Sequence, residues 1–171
     1  MERKAQIHRK TSETDIHLDF QIDGEGQSSC QSGIAFLDHM LDLFATHGLF
    51  TLTVKAEGDL EVDAHHTTED IGICLGLAFK EAIGDAKGIY RYASGLIPMD
   101  ESLCQMAIDI SNRPHLSFKG DLAKTKVGDF DVELVEEFFT AFVSNARVSL
   151  HIDILSGTNL HHMIEALFQS P

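Results

Sequence analysis

The sequence contains two copies of one short motif, His-His-x-x-Glu, at residues 65–69 and 161–165. On a helix, side chains three and four positions apart lie on one face, so each glutamate would lie beside its two histidines. Adjacent histidines diverge by about 100° around the helix axis, and one pair can therefore face two different metal ions. Each copy supplies only part of a ligand set. The two copies therefore predict a pair of bound divalent metal ions, and the remaining ligands would come from the other half or from a neighbouring subunit.

The residues that precede the motifs favour metal binding over incidental surface histidines. Asp63 and Asn159 are favoured N-cap residues, and each stands two positions before the first histidine of its motif, which places both His pairs in the first turn of a helix. A helix N-terminus disfavours a protonated imidazole and keeps these histidines able to bind metal. Imidazole and carboxylate ligands suit manganese, iron or zinc, and the absence of cysteine ligands argues against a structural zinc site.

The elements that must position the motifs are repeated along the chain. Alternating apolar residues predict strands, and apolar residues at helical spacing predict helices. In the first half these segments are a strand at 15–23, a helix at 36–47, a strand around 52–54 and a helix from 63 to 84. In the second half they are strands at 106–110 and 116–118, a helix at 134–147, a strand at 148–154 and a helix from 159. The motif helices start 96 residues apart, at 63 and 159, which indicates a duplicated unit with halves 1–90 and 91–171 in one compact domain.

Composition limits the classes of partner and cofactor. The formal charge of −14 argues against a nucleic-acid partner, although a few local arginines would suffice for one small phosphorylated ligand. No apolar run approaches the ~20 residues that span a bilayer, and residues 1–10 lack the apolar stretch of a signal peptide, so we expect no membrane partner and a cytoplasmic protein. The three cysteines form no CxxC pair, and no GxGxxG or P-loop motif indicates a nucleotide cofactor.

Longer sequence segments, spread over most of the chain, indicate a family. With FLDHMLDLFATHG, DAHHTTEDIG, IPMDESL, SNRPHL, VGDFDVELVEEFF and GTNLHHMIEALF in this order, the chain resembles the imidazoleglycerol-phosphate dehydratases of histidine biosynthesis from Arg9 to Phe168. The resemblance implies an α+β fold of two similar halves, each a four-stranded sheet with two helices on one face. It also implies self-association into trimers and a 24-subunit shell, with manganese sites at subunit interfaces.

The resemblance implies two Mn²⁺ ions per active site, with other divalent ions as alternatives. The implied ligands are His39, His65, His66, Glu69, Glu137, His161, His162 and Glu165. Many members have a histidine where this chain has Glu137. Because a carboxylate can replace imidazole on a hard ion such as Mn²⁺, we expect the site to be retained with a more anionic set of ligands.

The implied reaction removes water from imidazole glycerol phosphate to give imidazole acetol phosphate. A carbon-bound proton beside the imidazole must be lost and the neighbouring hydroxyl expelled, and a metal ion on each ring nitrogen would acidify that C–H bond. The resemblance places Glu13 and His47 in the catalytic site, Glu13 in proton transfer and His47 in contact with substrate. It also implies that Arg91 and Arg113 bind the substrate phosphate, which a planar guanidinium suits well.

The C-terminus departs from the family pattern. Members usually have a lysine after the last phenylalanine, whereas this chain has Gln169 followed by Ser170 and Pro171. We therefore expect a truncated or altered chain that lacks part of its last helix and a phosphate-contacting tail, with weaker substrate binding as the consequence.

Two other functions are compatible with paired metal ions. A dinuclear metal hydrolase would use them to activate water. A non-catalytic metal-binding or storage shell would hold many ions per chain, whereas the dehydratase predicts about two.

Overall fold

The computed structural model describes residues 2–169, which form two consecutive sets of strands and helices. The first set is β1 (Lys4–Lys10), β2 (Thr14–Gln21), β3 (Gln27–Gln31), α1 (Ala35–Gly48), β4 (Thr51–Gly58) and α2 (His65–Ile83). The second is β5 (Tyr92–Met99), β6 (Ser102–Asp109), β7 (His115–Lys119), the short strands β8 (Lys126–Val127) and β9 (Phe130–Asp131), α3 (Leu134–Ala146), β10 (Ser149–Ser156) and α4 (Leu160–Phe168).

The two sets have the same sheet topology, which confirms the predicted α+β fold with internal duplication. The first sheet has the strand order β1-β2-β4-β3 and the second has β5-β6-β10-β7. In each sheet the last pair, β4 with β3 and β10 with β7, is parallel, and the other neighbours are antiparallel. Strand β8 pairs with β9 as a separate small hairpin.

The helices of the two halves pack against one another across a shared apolar core. Helix α1 contacts α4, and α2 contacts α3, so each helix that carries a His-His-x-x-Glu motif adjoins the first helix of the other half. The α2–α3 contact is made backbone to backbone. A Cβ atom on Gly72 would lie 2.7 Å from the Phe138 carbonyl oxygen, and one on Gly76 would lie 2.5 Å from that of Phe142. Glycine at these two positions therefore allows the two helices to approach this closely.

The structure confirms the predicted helices and central strands and adds strands that the apolar pattern did not predict. Strands β1, β3 and β5 lie at sheet edges, where most side chains are exposed or half-buried. An edge strand with few buried residues lacks the apolar alternation that reveals a central strand. Helix α2 begins at His65 rather than near Asp63, although the Asp63 carboxylate still accepts a hydrogen bond from the His65 backbone N–H at 2.8 Å.

At the C-terminal end, α4 continues to Phe168 and is followed by Gln169. Ser170 and Pro171, on which part of the expected departure from the family pattern rests, lie outside the described residues. Within residues 2–169, no helix combines the length and the apolar character that crossing a membrane would require. The three cysteines are all free.

Candidate functional site

The contact between α1 and α4 brings together three of the predicted metal ligands. The Glu165 carboxylate oxygen Oε1 lies 2.8 Å from His39 Nε2 and 3.3 Å from His161 Nε2. The Glu165 side chain is only 8% exposed, whereas those of His39 and His161 are 47% and 41% exposed. A buried carboxylate and two imidazoles thus converge at the surface, with separations close to the roughly 3.3 Å between neighbouring ligand atoms of a tetrahedral ion about 2 Å from each. This donor set fits a divalent cation such as Mn²⁺, Fe²⁺ or Zn²⁺.

The second histidine of each motif is held by a carboxylate through its Nδ1 atom. His162 Nδ1 lies 2.8 Å from Glu101 Oε2, and His66 Nδ1 lies 2.8 Å from Asp59 Oδ2. Each carboxylate raises the pKa of the imidazole that it contacts, which is opposite to the shift expected from the helix N-terminus. When Nδ1–H donates to a carboxylate, Nε2 is the unprotonated atom of the neutral ring and is free to bind a metal ion.

Glu101 also organises the start of α4. Its Oε1 atom accepts hydrogen bonds from the backbone N–H groups of Thr158 and Asn159 at 3.1 and 2.8 Å. The hydrogen bond from His162 and these two backbone donors hold the pKa of the Glu101 carboxyl well below its ordinary value. The Asn159 side chain, as predicted, caps the helix: it accepts hydrogen bonds from the backbone N–H groups of His161 and His162. One carboxylate thereby fixes both the helix terminus and a predicted ligand.

The predictions from sequence missed Asp59 and Glu101 as contributors to the site. Glu101 is 61 positions from the histidine that it holds, so no local spacing reveals the contact. The available signal was the IPMDESL segment, which contains Glu101 and is one of the segments that carry the family resemblance.

The side chains of the motif in the first half lie farther apart than those of the motif in the second half. His65 Nε2 lies 4.0 Å from Glu69 Oε2, and within residues 2–169 Glu137 joins neither of the two groups of three or more potential ligands that come together. Glu137 lies exposed near the start of α3. In the α1–α4 contact the His39 imidazole can donate to the buried Glu165 carboxylate, whereas a carboxylate at the equivalent place on α3, Glu137, offers an acceptor in place of an imidazole.

The predicted proton-transfer residue lies beside the motif of the first half. Glu13 is in the turn between β1 and β2, and its carbonyl oxygen accepts a hydrogen bond from the Asp59 backbone N–H at 3.1 Å. Hydrogen bonds from the Ser12 and Thr11 side chains lower the pKa of the Glu13 carboxyl, which is further lowered by the nearby His66. Glu13 is therefore an ionised, exposed carboxylate close to a predicted metal ligand.

The two predicted phosphate-binding arginines meet at Asp109. Arg91 Nε lies 2.6 Å from Asp109 Oδ1, and an Arg113 nitrogen lies 3.7 Å from Oδ2. Both arginines line a surface cavity of about 420 Å³ to which Lys80 and Arg147 also contribute. Four cationic side chains around one open cavity, which Asp85 also lines, can bind a phosphate group, and Asp109 holds the guanidinium of Arg91 in place.

Within one chain this cavity lies far from the predicted metal ligands. Arg91 precedes β5 and Glu101 follows it, and an eight-residue strand spans about 26 Å at roughly 3.3 Å per residue. His47, exposed in the last turn of α1, is also separate, because eight residues of helix place it about 12 Å along the axis from His39. The predicted site residues therefore form separate groups on a single copy.

Comparison with known proteins assigns the chain to a family. The model of the imidazoleglycerol-phosphate dehydratase family matches residues 32–171. The chain belongs to this family. The imidazoleglycerol-phosphate dehydratases of Bacillus licheniformis and Halalkalibacterium halodurans are 57% and 58% identical to it, over 98% of this chain and 87% of each relative.

The solved dehydratase structures show the same fold. The imidazoleglycerol-phosphate dehydratase from Staphylococcus aureus superposes with a TM-score of 0.88 at 46% identity, covering 98% of this chain and 92% of that one. The enzyme from Pyrococcus furiosus superposes with a TM-score of 0.82 at 34% identity, covering 95% and 87%. The likeness therefore includes both duplicated halves, and the resemblance found in the sequence is confirmed.

Proposed function

We propose that this chain is a metal-dependent hydro-lyase that dehydrates imidazole glycerol phosphate to imidazole acetol phosphate, with two divalent ions, Mn²⁺ in the first place, in its site. Membership of the dehydratase family supports the reaction and its place in histidine biosynthesis. The observation that carries the metal dependence is the convergence of His39, His161 and the buried Glu165 on one point. We also propose that the enzyme acts in the cytoplasm.

The histidines and carboxylates of the motifs would hold the ions. His39, His161 and Glu165 would supply one partial set, and His65, Glu69 and Glu137 the corresponding set of the other half. His66 and His162, each held at Nδ1 by a carboxylate, would present Nε2. When bound, the two ions would withdraw charge from the substrate imidazole and so acidify the adjacent C–H bond.

The chain's own side chains would then move the proton and orient the substrate. Glu13 is ionised and exposed, so it can accept the carbon-bound proton and give it to the neighbouring hydroxyl, which leaves as water while the two carbons form a double bond. The resulting enol then becomes the ketone by moving its hydroxyl proton to carbon. His47 would contact the bound substrate. Arg91 and Arg113 would bind the phosphate in the cationic cavity and fix its distance from the imidazole.

The separation of these groups within one chain supports a site that is shared among copies. A small substrate cannot span about 26 Å, the length of β5 that separates Arg91 from Glu101. We therefore propose that the cavity of one copy faces the metal ligands of another, in trimers that assemble into a 24-subunit shell.

The deciding experiment combines a reaction assay with metal analysis. Purified protein is supplied with imidazole glycerol phosphate and, separately, with simple phosphoesters, and manganese is counted per chain. We expect dehydration of the first compound, no phosphate release from the others and about two ions per chain. Phosphate release without dehydration would indicate the hydrolase, and many ions per chain without turnover would indicate a storage shell.

Changing Glu13 to Gln tests the assignment of proton transfer. The amide keeps the size of the side chain but cannot accept the proton, so we expect turnover to fall by at least about 100-fold while manganese content stays unchanged. Glu25→Gln, an exposed glutamate between β2 and β3, serves as the matched control and should keep full activity. Full activity of Glu13→Gln would refute the catalytic role of this residue.

A further inference from the structure

The outer face of the first sheet carries a second group of potential metal ligands, away from the motif helices. His8 on β1 pairs directly with His17 on β2, and Asp15 lies two residues before His17 on the same face of that strand. Alternate residues of β2, including Ile16 and Leu18, are buried on the opposite face, towards the helices. The three polar side chains therefore project outward from a rigid pair of strands.

The geometry of these three side chains matches a metal site with three protein ligands. The rings of His8 and His17 are stacked, with centroids 3.8 Å apart and planes 13° from parallel. Both rings turn Nε2 towards the same atom, Asp15 Oδ1, at 2.8 Å for His8 and 3.7 Å for His17. Neighbouring ligand atoms of a tetrahedral ion about 2 Å from each lie roughly 3.3 Å apart, which is within this range.

The charges around the group leave Asp15 Oδ1 available to a cation. Lys10 Nζ pairs with the other oxygen, Oδ2, at 2.5 Å and is the main cause of an Asp15 carboxyl pKa lowered to about 2. On the neighbouring strand β4, Glu57 lies opposite Asp15 and Lys55 lies opposite His17, so the flanking charges include one of each sign. The side chains of His8 and His17 are more than half exposed, which leaves a fourth coordination position open to water.

We propose that His8, Asp15 and His17 form a surface site for one late first-row divalent ion, of the class of Zn²⁺, Ni²⁺ or Cu²⁺. Two imidazoles and one carboxylate prefer these ions to Mn²⁺ in the Irving–Williams order. A bound ion would cross-link β1 to β2 immediately before and after the turn that holds Glu13. Occupancy should therefore stabilise this hairpin, because an ion that binds only the folded state shifts the unfolding equilibrium.

The test counts metal ions on the assembled protein. Protein saturated with Mn²⁺ is dialysed to equilibrium against micromolar Zn²⁺, and the sum of manganese and zinc per chain is measured for the unmodified protein and for His17→Gln. We expect the unmodified protein to hold about one ion more per chain than His17→Gln. Replacement of manganese by zinc elsewhere leaves this sum, and hence the difference, unchanged.

Two further variants make the count decisive. His8→Gln removes the other imidazole and should lose the same ion, which separates loss of a ligand from misfolding of one variant. His151→Gln alters another exposed pair, His115 and His151, whose rings are 5.7 Å apart and 51° from parallel and which belongs to no group of three potential ligands within residues 2–169. This control should retain the ion. An equal sum of metal in the unmodified protein, His8→Gln and His17→Gln would overturn the proposal.

Discussion

Glu101 shows how much of the candidate site depends on one side chain outside the motif. One of its oxygens accepts from two backbone N–H groups before α4, and the other faces His162 Nδ1. A glutamine could still accept from the backbone, but its amide N–H₂ would face the Nδ1–H donor. His162 would then favour the other tautomer, in which Nε2 carries the proton and cannot bind metal.

We therefore expect Glu101→Gln to lower the affinity for Mn²⁺ by about 10- to 100-fold while the fold is retained. Titration calorimetry of the metal-free protein with Mn²⁺ measures the affinity, and thermal unfolding of the same preparation reports on the α4 terminus. Glu136→Gln, an exposed glutamate on α3, is the matched control. Unchanged Mn²⁺ affinity in Glu101→Gln would show that this carboxylate only caps the helix.

At the same scale, the motifs were predictable because their spacing is local. His161 and Glu165 are four residues apart, and a helix brings them together. The partner on α1 is different, because His39 and Glu165 are 126 positions apart and meet only through the packing of two helices. Residue patterns alone gave no reason to prefer His39 over an ordinary helix-edge histidine, and only the family resemblance singled it out.

Among the elements, the turn that carries Glu13 is held against α2 by a buried polar network. Arg9 on β1 donates to Asp70 Oδ1 at 3.1 Å, and the Thr14 hydroxyl donates to Oδ2 at 2.5 Å. Asp70 is 6% exposed and directly follows Glu69 on the motif helix. The network thus joins both ends of the β1–β2 turn to the first turns of α2 and keeps Glu13 beside the predicted metal ligands.

Replacing Arg9 by Met tests this network. The change leaves the buried Asp70 carboxylate without its half-buried cation, so we expect a loss of about 2 kcal/mol of unfolding free energy, below the roughly 3–5 kcal/mol of a fully buried pair. Arg3→Met, which breaks the exposed pair between Arg3, just before β1, and Asp23, should cost about 1 kcal/mol or less. Urea denaturation of both variants gives the comparison, and equal losses would show that the Asp70 network adds nothing beyond a surface ion pair.

Helices and central strands were predictable from apolar spacing because each buries a continuous face. Strand β3, with the sequence Gln-Ser-Ser-Cys-Gln, has no such face and is identified only by its parallel pairing with β4. The packing of α2 on α3 could not be predicted from the sequence either, since Gly72 and Gly76 suggest a close approach only when the partner helix is known.

For the whole molecule, the feature that the sequence reveals least is the distance between the cationic cavity and the predicted metal ligands. Both β5 and α2 run between these regions: Arg91 and Lys80 lie at the cavity end, and Glu101 and His66 lie at the other. The 19 residues of α2 span about 28 Å, comparable to the length of β5. Sequence motifs cannot reveal this separation, because residues at both ends of β5 and α2 match the family pattern equally well.

The separation predicts that two inactive variants complement each other. Glu13→Gln lacks the proposed proton acceptor and Arg113→Ala lacks a proposed phosphate ligand, so each variant alone should have little activity. If one active site takes Glu13 and Arg113 from different copies, random co-assembly of equal amounts leaves about a quarter of the sites intact, since each contribution is intact half of the time. Co-expression of the two variants with different affinity tags, followed by a dehydratase assay on doubly purified assemblies, measures the recovery of activity.

The control mixture combines Glu13→Gln with Glu13→Ala and should remain inactive, because neither chain supplies the carboxylate. Background activity for the first mixture would place both residues of a site on one chain and would overturn the site shared among copies.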